Sequence, residues 1–488
     1  MDWMQSLRLA APEELLSVSG LVLLLASAWG QTAKDARAVN WLAVLVLAGA
    51  AAMVAPTLCQ GISGEAALAF GGLFSADAFA AFAKLLIFAA AGASLLVAPA
   101  FFERHGGYRP EFPVLVLFAV LGMCLMVSST NLLTLYVGLE LNSLAAYVLA
   151  AFLKADDRSA EAGLKYFVLG ALASGILLFG MSLTYGFTGT VSYSGIAAVT
   201  NAGLSKGALF GLTFMLAGLA FKISAVPFHM WTPDVYEGAP TPVTTFFASA
   251  PKVAALALTI RVAVEAFGGQ AAAWQQIVGF AALASIVVGA LGAIGQKNIK
   301  RLLAYSSINN VGFMLVGLAA ASPEGVSAML VYLAIYVPMT IGGFVAVLML
   351  RDAQGHQLEG ISDLAGLSSA RPFLALGLGS VMFSMAGIPF FFGFWGKFVV
   401  FQAAVAAGLL PLALIAALGS VIGAFYYLKI VKVMYFDDPA GKVSGRSDMV
   451  HDWLLAVSAL FISPLGWLLT KGLGALAAIA AGVLFAAA

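Results

Sequence analysis

The sequence predicts an all-α, polytopic membrane protein with about 14 transmembrane helices, among them two inverted five-helix repeats. Of its 488 residues, 62% are hydrophobic and only 10% are charged. Its mean hydropathy is +1.00, and a soluble protein of this length would need far more charge on its surface. Apolar runs of about 20 residues, long enough to cross a bilayer, recur along the whole chain.

Apolar runs between polar breaks locate the predicted spans. In chain order they are 12–30, 39–56, 74–101, 112–128, 131–153, 161–187, 207–228, 240–265, 274–295, 300–320, 325–350, 371–401, 407–436 and 450–470. The first run resembles a signal peptide, but Glu13 and Glu14 precede it where a signal peptide carries positive charge. The apolar tail after Lys471 is expected to lie at the membrane interface, with a fifteenth span as the alternative.

Positive charge indicates the orientation, since it concentrates in cytoplasmic loops. Of the 24 Lys and Arg residues, 15 fall in alternate loops that start with the loop after the first span. Four fall in the other loops, namely Arg8, Lys206, Arg261 and Lys471. The asymmetry predicts an even number of spans with both termini on the periplasmic side. It also leaves five lysines that no loop contains.

These five lysines lie inside predicted spans, together with one acid in the fifth span. They are Lys84, Lys165, Lys222, Lys252 and Lys397, and the acid is Glu140. An ionisable group inside the hydrocarbon costs roughly 2.5–3.5 kcal/mol on insertion scales, so the group is expected to face a polar interior. For Lys84 and Lys165 the alternative is a lysine that reaches out to the interface. Lys84 is expected to be a bystander.

Three of the lysines coincide with interrupted helices. Lys222 precedes Pro227, Lys252 follows Pro251, and Lys397 follows a Gly-Ile-Pro sequence in the twelfth span. Broken helices at corresponding places of two halves are typical of inverted-repeat transporters, whose functional site lies at the break. The alternative is a proline kink that serves packing alone.

The breaks predict a division of the chain into four segments. These are 1–111 with three N-terminal spans, 112–265 as the first repeat, 274–436 as the second repeat, and 450–488 with the final span and tail.

Lysine and glutamate together can act as a proton switch. An apolar environment disfavours the charged amine, and a nearby carboxylate favours it. A lysine therefore holds its proton close to the acid and releases it when the two separate. Glu140, the only acid expected inside the membrane, is the natural partner of Lys222. Lys252 and Lys397 would be successive stations.

Other chemistries find little support in the sequence. The cysteines Cys59 and Cys124 fit no metal or redox pattern. His105, His356 and His451 lie in charged loops and His229 at a break, so no pair could bind haem within the membrane. The chain has no phosphate-binding loop of the GxxxxGK[ST] type. No metal or cofactor is therefore expected in this chain, and the net charge of +1 argues against a nucleic-acid partner.

Five stretches resemble the antiporter-like subunits of respiratory complex I, and within that family the N type. They are LYVGLELNSL at 135–144, FHMWTPDVYEGAPTPV at 228–243, FFASAPK at 246–252, KRLLAYSSI at 300–308 and GIPFFFGFWGK at 387–397. The M type would have glutamate in place of Lys397. The L type would continue into a long lateral helix.

The resemblance implies a proton-channel subunit without redox centres, inside a complex that uses NADH, flavin, iron–sulfur clusters and quinone. Glu140, Lys222, Lys252 and Lys397 match the relay residues of the family, with Lys165 and His229 as auxiliaries. The implied partners are the M-, L- and K-type membrane subunits and lipid. The alanine- and glycine-rich composition indicates a bacterial origin, so the expected location is the inner membrane of a bacterium rather than of a mitochondrion.

Three other functions remain open. A multi-subunit sodium/proton antiporter contains subunits of the same ancestry, although these lack the Tyr236-Glu237-Gly238 signature. A stand-alone solute carrier would need a polar substrate pocket. A purely structural membrane subunit would have no use for buried charges.

Overall fold

The computed structural model describes residues 3–30, 32–60, 67–444 and 448–487. Twenty α-helices and one short hairpin make up most of this part of the chain. The helices are α1 Trp3–Leu9, α2 Ala11–Trp29, α3 Ala33–Gln60, α4 Ala78–Arg104, α5 Glu111–Ser128, α6 Leu132–Ala150, α7 Asp157–Thr188, α8 Tyr193–Ala202, α9 Lys206–Ile223, α10 Trp231–Gly238, α11 Thr241–Arg261, α12 Ala271–Ile294, α13 Ile299–Ala319, α14 Pro323–Met349, α15 Leu367–Ala370, α16 Pro372–Ala386, α17 Phe392–Ala406, α18 Leu410–Phe436, α19 Met449–Ile462 and α20 Thr470–Ala487. The hairpin pairs β1 Ala67–Ala69 with β2 Phe74–Ala76.

The predicted fold class is confirmed. Thirteen helical segments in the described part of the chain are long and apolar enough to cross a membrane. The twelfth predicted span is two shorter apolar helices, α16 and α17. The seventh is likewise broken, into α9 and α10.

At two predicted boundaries the structure contains another element in place of the expected span. The third span was expected from residue 74, but Phe74–Ala76 pairs with β1, and the side chain of Asp77 caps the first turn of α4. The final span was expected to end at residue 470. Instead α19 ends at Ile462, before Pro464, and an apolar helix, α20, packs against α14 and α4.

Ion pairs join the loops at one end of the bundle. Arg37 pairs with Glu103, and Arg104 and Arg351 share Asp448. Arg158 contacts Glu359 there, and so does Lys300 from the start of α13. These loops follow the odd-numbered spans, which are followed by most of the loop cations, so we call this the basic end. The other is the opposite end.

Glycines allow α5 and α6 to pack closely, and this contact positions α6 within the bundle. A Cβ atom at Gly122 would lie 2.6 Å from the carbonyl oxygen of Gly138, closer than real contacts allow. Small residues at such crossings let membrane helices approach through their backbones. The crossing fixes the helix that carries Glu140.

Candidate functional site

The first break lies between α9 and α10. Ser224, in the left-handed conformation with φ of 63°, ends α9, and α10 begins at Trp231. Pro227 lacks the backbone N–H that a continuous helix would need. The freed carbonyl of Ile223 accepts a hydrogen bond of 2.9 Å from Lys252 Nζ, whose residue is only 1% exposed. A cation at the C-terminus of a helix is stabilised by the helix dipole.

Lys222 lies one residue before the end of α9 and contacts hydroxyl groups. Its Nζ lies 2.8 Å from Ser143 Oγ, 3.2 Å from Ser174 Oγ and 3.5 Å from the Tyr147 hydroxyl. Ser143 and Tyr147 follow Glu140 by three and seven residues, so they share its face of α6. This face of α6 therefore meets the break.

Glu140 and Lys222 were expected to form an ion pair. Among the described residues, the ion pairs with a nitrogen–oxygen distance of 4.0 Å or less do not include this one. One oxygen of Glu140 is buried without a hydrogen-bond partner among the described residues. The structure thus shows the acid and the amine apart, with hydroxyl groups as the direct partners of the amine.

The second break lies between α16 and α17. Gly387, with φ of 79°, ends α16. Lys397 Nζ, from α17, lies 3.0 Å from the carbonyl oxygen of Met385, 3.2 Å from that of Ala386 and 3.0 Å from Ser420 Oγ. At both breaks, then, a buried lysine binds the free carbonyls of a helix that ends inside the membrane.

A network of neutral hydroxyl and amide groups lies along α13. Ser307 and Tyr336 are 2.7 Å apart, Ser306 and Tyr427 are 2.5 Å apart, and Tyr332 donates to Asn310 at 2.6 Å. Sequence reasoning did not single out these residues. The signal was present as adjacent serines and adjacent asparagines in a helix that is mostly apolar beyond its first turn.

The network approaches both lysines. Lys252 Nζ lies 6.0 Å from the ring centroid of Tyr236, a residue of α10, and α10 packs against α13. Lys397 Nζ lies 4.6 Å from the ring centroid of Phe313, a residue of α13. The network therefore lies between the two broken helices.

Of the two predicted auxiliary residues, one lies at the basic end and the other lies in the first break. Lys165 is 42% exposed in its side chain and pairs with Glu161 at 2.7 Å and Asp234 at 3.0 Å, at the basic end. His229 lies in the first break, and its Nδ1 is buried without a hydrogen-bond partner among the described residues.

Two expectations about internal charges were wrong. Glu140 is not the only internal acid, because Glu13 and Asp77 are also buried. Arg261, expected in a loop, is fully buried and pairs with Asp77 at 2.8 Å. Both errors have one cause, since a charge can enter the interior when a distant part of the chain supplies its counter-charge. Among the described residues, no group of three or more His, Cys, Asp or Glu side chains is placed to hold a metal ion.

Broken helices with lysine-bound carbonyls in a bundle of this topology define an antiporter-like membrane subunit. Residues 129–423 match the family described as NADH:quinone oxidoreductase/Mrp antiporter, TM, and the chain belongs to this family.

Relatives named NADH-quinone oxidoreductase subunit N are similar over the full length. The protein from Erythrobacter litoralis (strain HTCC2594) is 63% identical, with 100% of both chains covered. The one from Rhizorhabdus wittichii is 57% identical, with 99% of this chain and 100% of the relative covered. The family resemblance predicted from the sequence is confirmed.

Two solved structures share the fold. A chain of respiratory complex I from Thermus thermophilus is 32% identical, with a TM-score of 0.82 and coverage of 96% of this chain and 99% of that one. A chain of the Mrp complex from Dietzia sp. DQ12-45-1b has a TM-score of 0.83, with 99% and 98% covered. At 22% identity, the second likeness shows the fold alone.

Proposed function

We propose that this chain is the N-type proton-translocating subunit of an NADH–quinone oxidoreductase, and that Glu140, Lys222, Lys252 and Lys397 hold and pass the proton. The observation that carries the proposal is the pair of buried lysines, each bound to the free carbonyls of a broken helix. The full-length likeness to subunit N proteins supports the assignment to this complex.

The contacts suggest how Lys252 changes its proton affinity. Its charged form is stabilised by the Ile223 carbonyl and by the C-terminal dipole of α9. A small movement of the break would remove both interactions. The amine would then lie in an apolar environment without a partner, which favours loss of the proton. A conformational change elsewhere in the complex can thereby act on the proton.

Hydroxyl groups provide the continuation of the path. Each can accept one proton while donating another, which a carbonyl or an ammonium cannot do. Ser143, Ser174 and Tyr147 surround Lys222, and the network along α13 leads towards Lys397. Lys165, in the ion-pair cluster at the basic end, would receive protons from solvent, and His229 would assist at the break.

The energy for transport comes from other subunits in this proposal. Moving one charge against about 150 mV costs roughly 3.5 kcal/mol. We place the NADH, flavin, iron–sulfur and quinone chemistry in the rest of the complex, with M-, L- and K-type subunits as neighbours. The chain alone is expected to move no protons on addition of NADH.

The topology completes the proposal. We place the basic end on the cytoplasmic side of a bacterial inner membrane, and both termini on the periplasmic side. Segments 112–265 and 274–436 would be the two inverted repeats, preceded by segment 1–111 and followed by 450–488. Their breaks support this division, since α9 and α16 both end in a left-handed residue.

The test is Lys222→Ala in the complete complex, assayed in sealed membrane vesicles for protons moved per NADH oxidised. We expect loss of proton translocation, because the site beside the first break no longer binds a proton. Lys206→Ala is the matched control, since Lys206 is an exposed lysine at the other end of the same helix. Normal proton yield in Lys222→Ala would disprove the relay. A yield that depends on sodium would favour the antiporter alternative, whose fold is shared.

A further inference from the structure

Glu13 and Lys84 form an ion pair inside the N-terminal crossings. Lys84 Nζ lies 2.7 Å from Glu13 Oε1, and the two side chains are 5% and 6% exposed, respectively. Lys84 Nζ also lies 4.8 Å from the ring centroid of Phe74. The pair joins α2 to α4 and lies outside both repeats.

The contacts between α4 and α11 give the depth of Lys84. These helices run antiparallel, because Asp77 pairs with Arg261 while Ser94 donates to the carbonyl of Pro242. Lys84 lies seven residues from Asp77, and Lys252 lies nine residues from Arg261. At about 1.5 Å per residue, the two lysines lie at depths of about 10 and 14 Å. Lys84 therefore lies nearly as deep as the central lysine, and its amine binds Glu13 inside the bundle instead of reaching out to the interface.

A cavity of about 430 Å³ connects Lys84 with the opposite end of the bundle. Asp77, Ala80, Ala81 and Lys84 form one face of α4 along it, and exposed Arg8 lines its rim. Here α3 contributes Met53, Val54 and Thr57, and α20 contributes Val483. These four lining residues have no charge.

Few charged groups face the pair. Asp77 is already paired with Arg261, and Arg8 lies on α1 at the rim. On α2, Glu13 Oε2 and Glu14 Oε1 are buried without a hydrogen-bond donor among the described residues. Cys124 is a buried thiol of α5, a helix that packs against both α2 and α4. An acid with an unused oxygen thus lies beside an amine that lines a cavity.

We propose that Glu13 and Lys84 form a second proton-exchange site, which exchanges protons with solvent at the opposite end through this cavity. The proposal rests on the proposed function of the chain in proton translocation. A contribution to stability does not explain why the ion pair is present, because replacing a buried ion pair by apolar residues often leaves the stability unchanged or raises it. The cavity gives the pair the access to water that a purely structural pair would not need.

The exchange step is a proton transfer without electron transfer. The N–H bond of Lys84 breaks and an O–H bond forms at Glu13 Oε1, which leaves a neutral amine and a neutral acid. The amine then binds a proton from hydronium in the cavity, which becomes water. The pair has taken up one proton, and the reverse sequence releases it.

The first test is the double variant Glu13→Gln/Lys84→Met in the complete complex, because it leaves no uncompensated buried charge. We expect an assembled complex that oxidises NADH but moves fewer protons per NADH than wild type. The matched control is Arg37→Gln/Glu103→Gln, which neutralises an exposed ion pair and should leave the proton yield unchanged. A wild-type yield in the Glu13/Lys84 variant, with Lys222→Ala still defective, would overturn this proposal alone. A wild-type yield in both would overturn the proposed function as well.

The second test blocks the cavity and leaves the pair intact. Ala81→Leu adds three carbons to the cavity wall one turn before Lys84, so it should lower the proton yield. Ala89→Leu, at an exposed position of the same helix, should not. An unchanged yield in Ala81→Leu would contradict access through the cavity even if the double variant failed to assemble.

Discussion

In the first repeat, Lys222 precedes the left-handed Ser224 by two residues, and the lysine on the free carbonyl comes from the neighbouring helix α11. In the second repeat, Met385 precedes the left-handed Gly387 by two residues, and the lysine comes from α17, the other half of the same broken helix. At each break a lysine stabilises the carbonyls at the C-terminal end of a helix. The two repeats supply this lysine from different positions in the chain.

The difference extends to the surroundings. The first break has two lysines and the acid Glu140 nearby, whereas the second has Lys397 and a network of hydroxyl and amide groups. Charges respond strongly to a change in geometry, because their energies depend on desolvation and on distance to other charges. Neutral hydroxyl groups respond less. We therefore expect the first repeat to couple conformational change to proton binding, and the second mainly to conduct.

The largest effect is expected from Lys252→Met. The Ile223 carbonyl loses its donor, which costs about 1–3 kcal/mol for a buried polar group, and the relay loses its central station. Proton translocation per NADH should be lost as fully as in Lys222→Ala, and the melting temperature of the purified complex should fall. If the complex with this substitution pumped normally, the hypothesis that the first repeat couples conformational change to proton binding would be wrong.

Lys397→Met should have a smaller effect on transport. Two carbonyls, of Met385 and Ala386, lose their donor, but Ser420 and the hydroxyl network remain. We expect a partial proton yield, measured in the same vesicles, together with reduced thermal stability. If Lys397→Met proved as severe as Lys252→Met, the distinction between a coupling repeat and a conducting repeat would be wrong.

Tyr427→Phe tests the network itself. It removes the hydroxyl that contacts Ser306 and Asn310 while keeping the ring. We expect a loss of about 1 kcal/mol in stability. The complex should still assemble, but its rate of proton translocation should be lower. Tyr185→Phe, at an exposed position of α7, is the control. Equal rates in the two variants would show that the network does not conduct.

The smallest effect concerns the basic end, away from both breaks. The hydrogen bond from His451 and the charge of Arg351 hold the pKa of the Asp448 carboxyl below its usual range, against its partial burial. A carboxyl with a lowered pKa stabilises the fold above its unfolded pKa, about 3.9, and this contribution disappears as the pH falls through the folded value.

Asp448→Asn should therefore destabilise the complex by about 1 kcal/mol at neutral pH, a figure reduced for solvent screening. Melting temperatures of wild type and variant should converge as the pH falls below about 4. Asp438→Asn, at an exposed position nearby, should show no such difference. A gap that stays constant with pH would mean that Asp448 acts through packing and not through its charge.

Much of the site could be predicted from the sequence, because a lysine in an apolar run stands out. Lys222, Lys252 and Lys397 were found in this way, and the breaks beside them followed from proline and glycine. What could not be found was the identity of each partner. Lys222 was expected to pair with Glu140 but contacts Ser143 and Ser174. The rotation of α6 and α7 about their axes decides which side chains reach the amine.

Lys84 shows the same limit more plainly. Taken alone it resembled a bystander, and only the packing of α2 against α4 brings Glu13 to it. Arg261 was expected in a loop, yet it meets Asp77, 184 residues away in the chain, in the interior.

The sequence by itself determined that this chain is a membrane protein, where most of its spans lie, and which charges are costly. Each of these follows from local composition, since transfer of a segment into the bilayer depends on the residues of that segment. The tertiary structure alone decided which charges neutralise one another and which carbonyls the lysines bind. Those interactions depend on distances of a few ångströms between helices far apart in sequence, and only the packing of the whole bundle sets such distances.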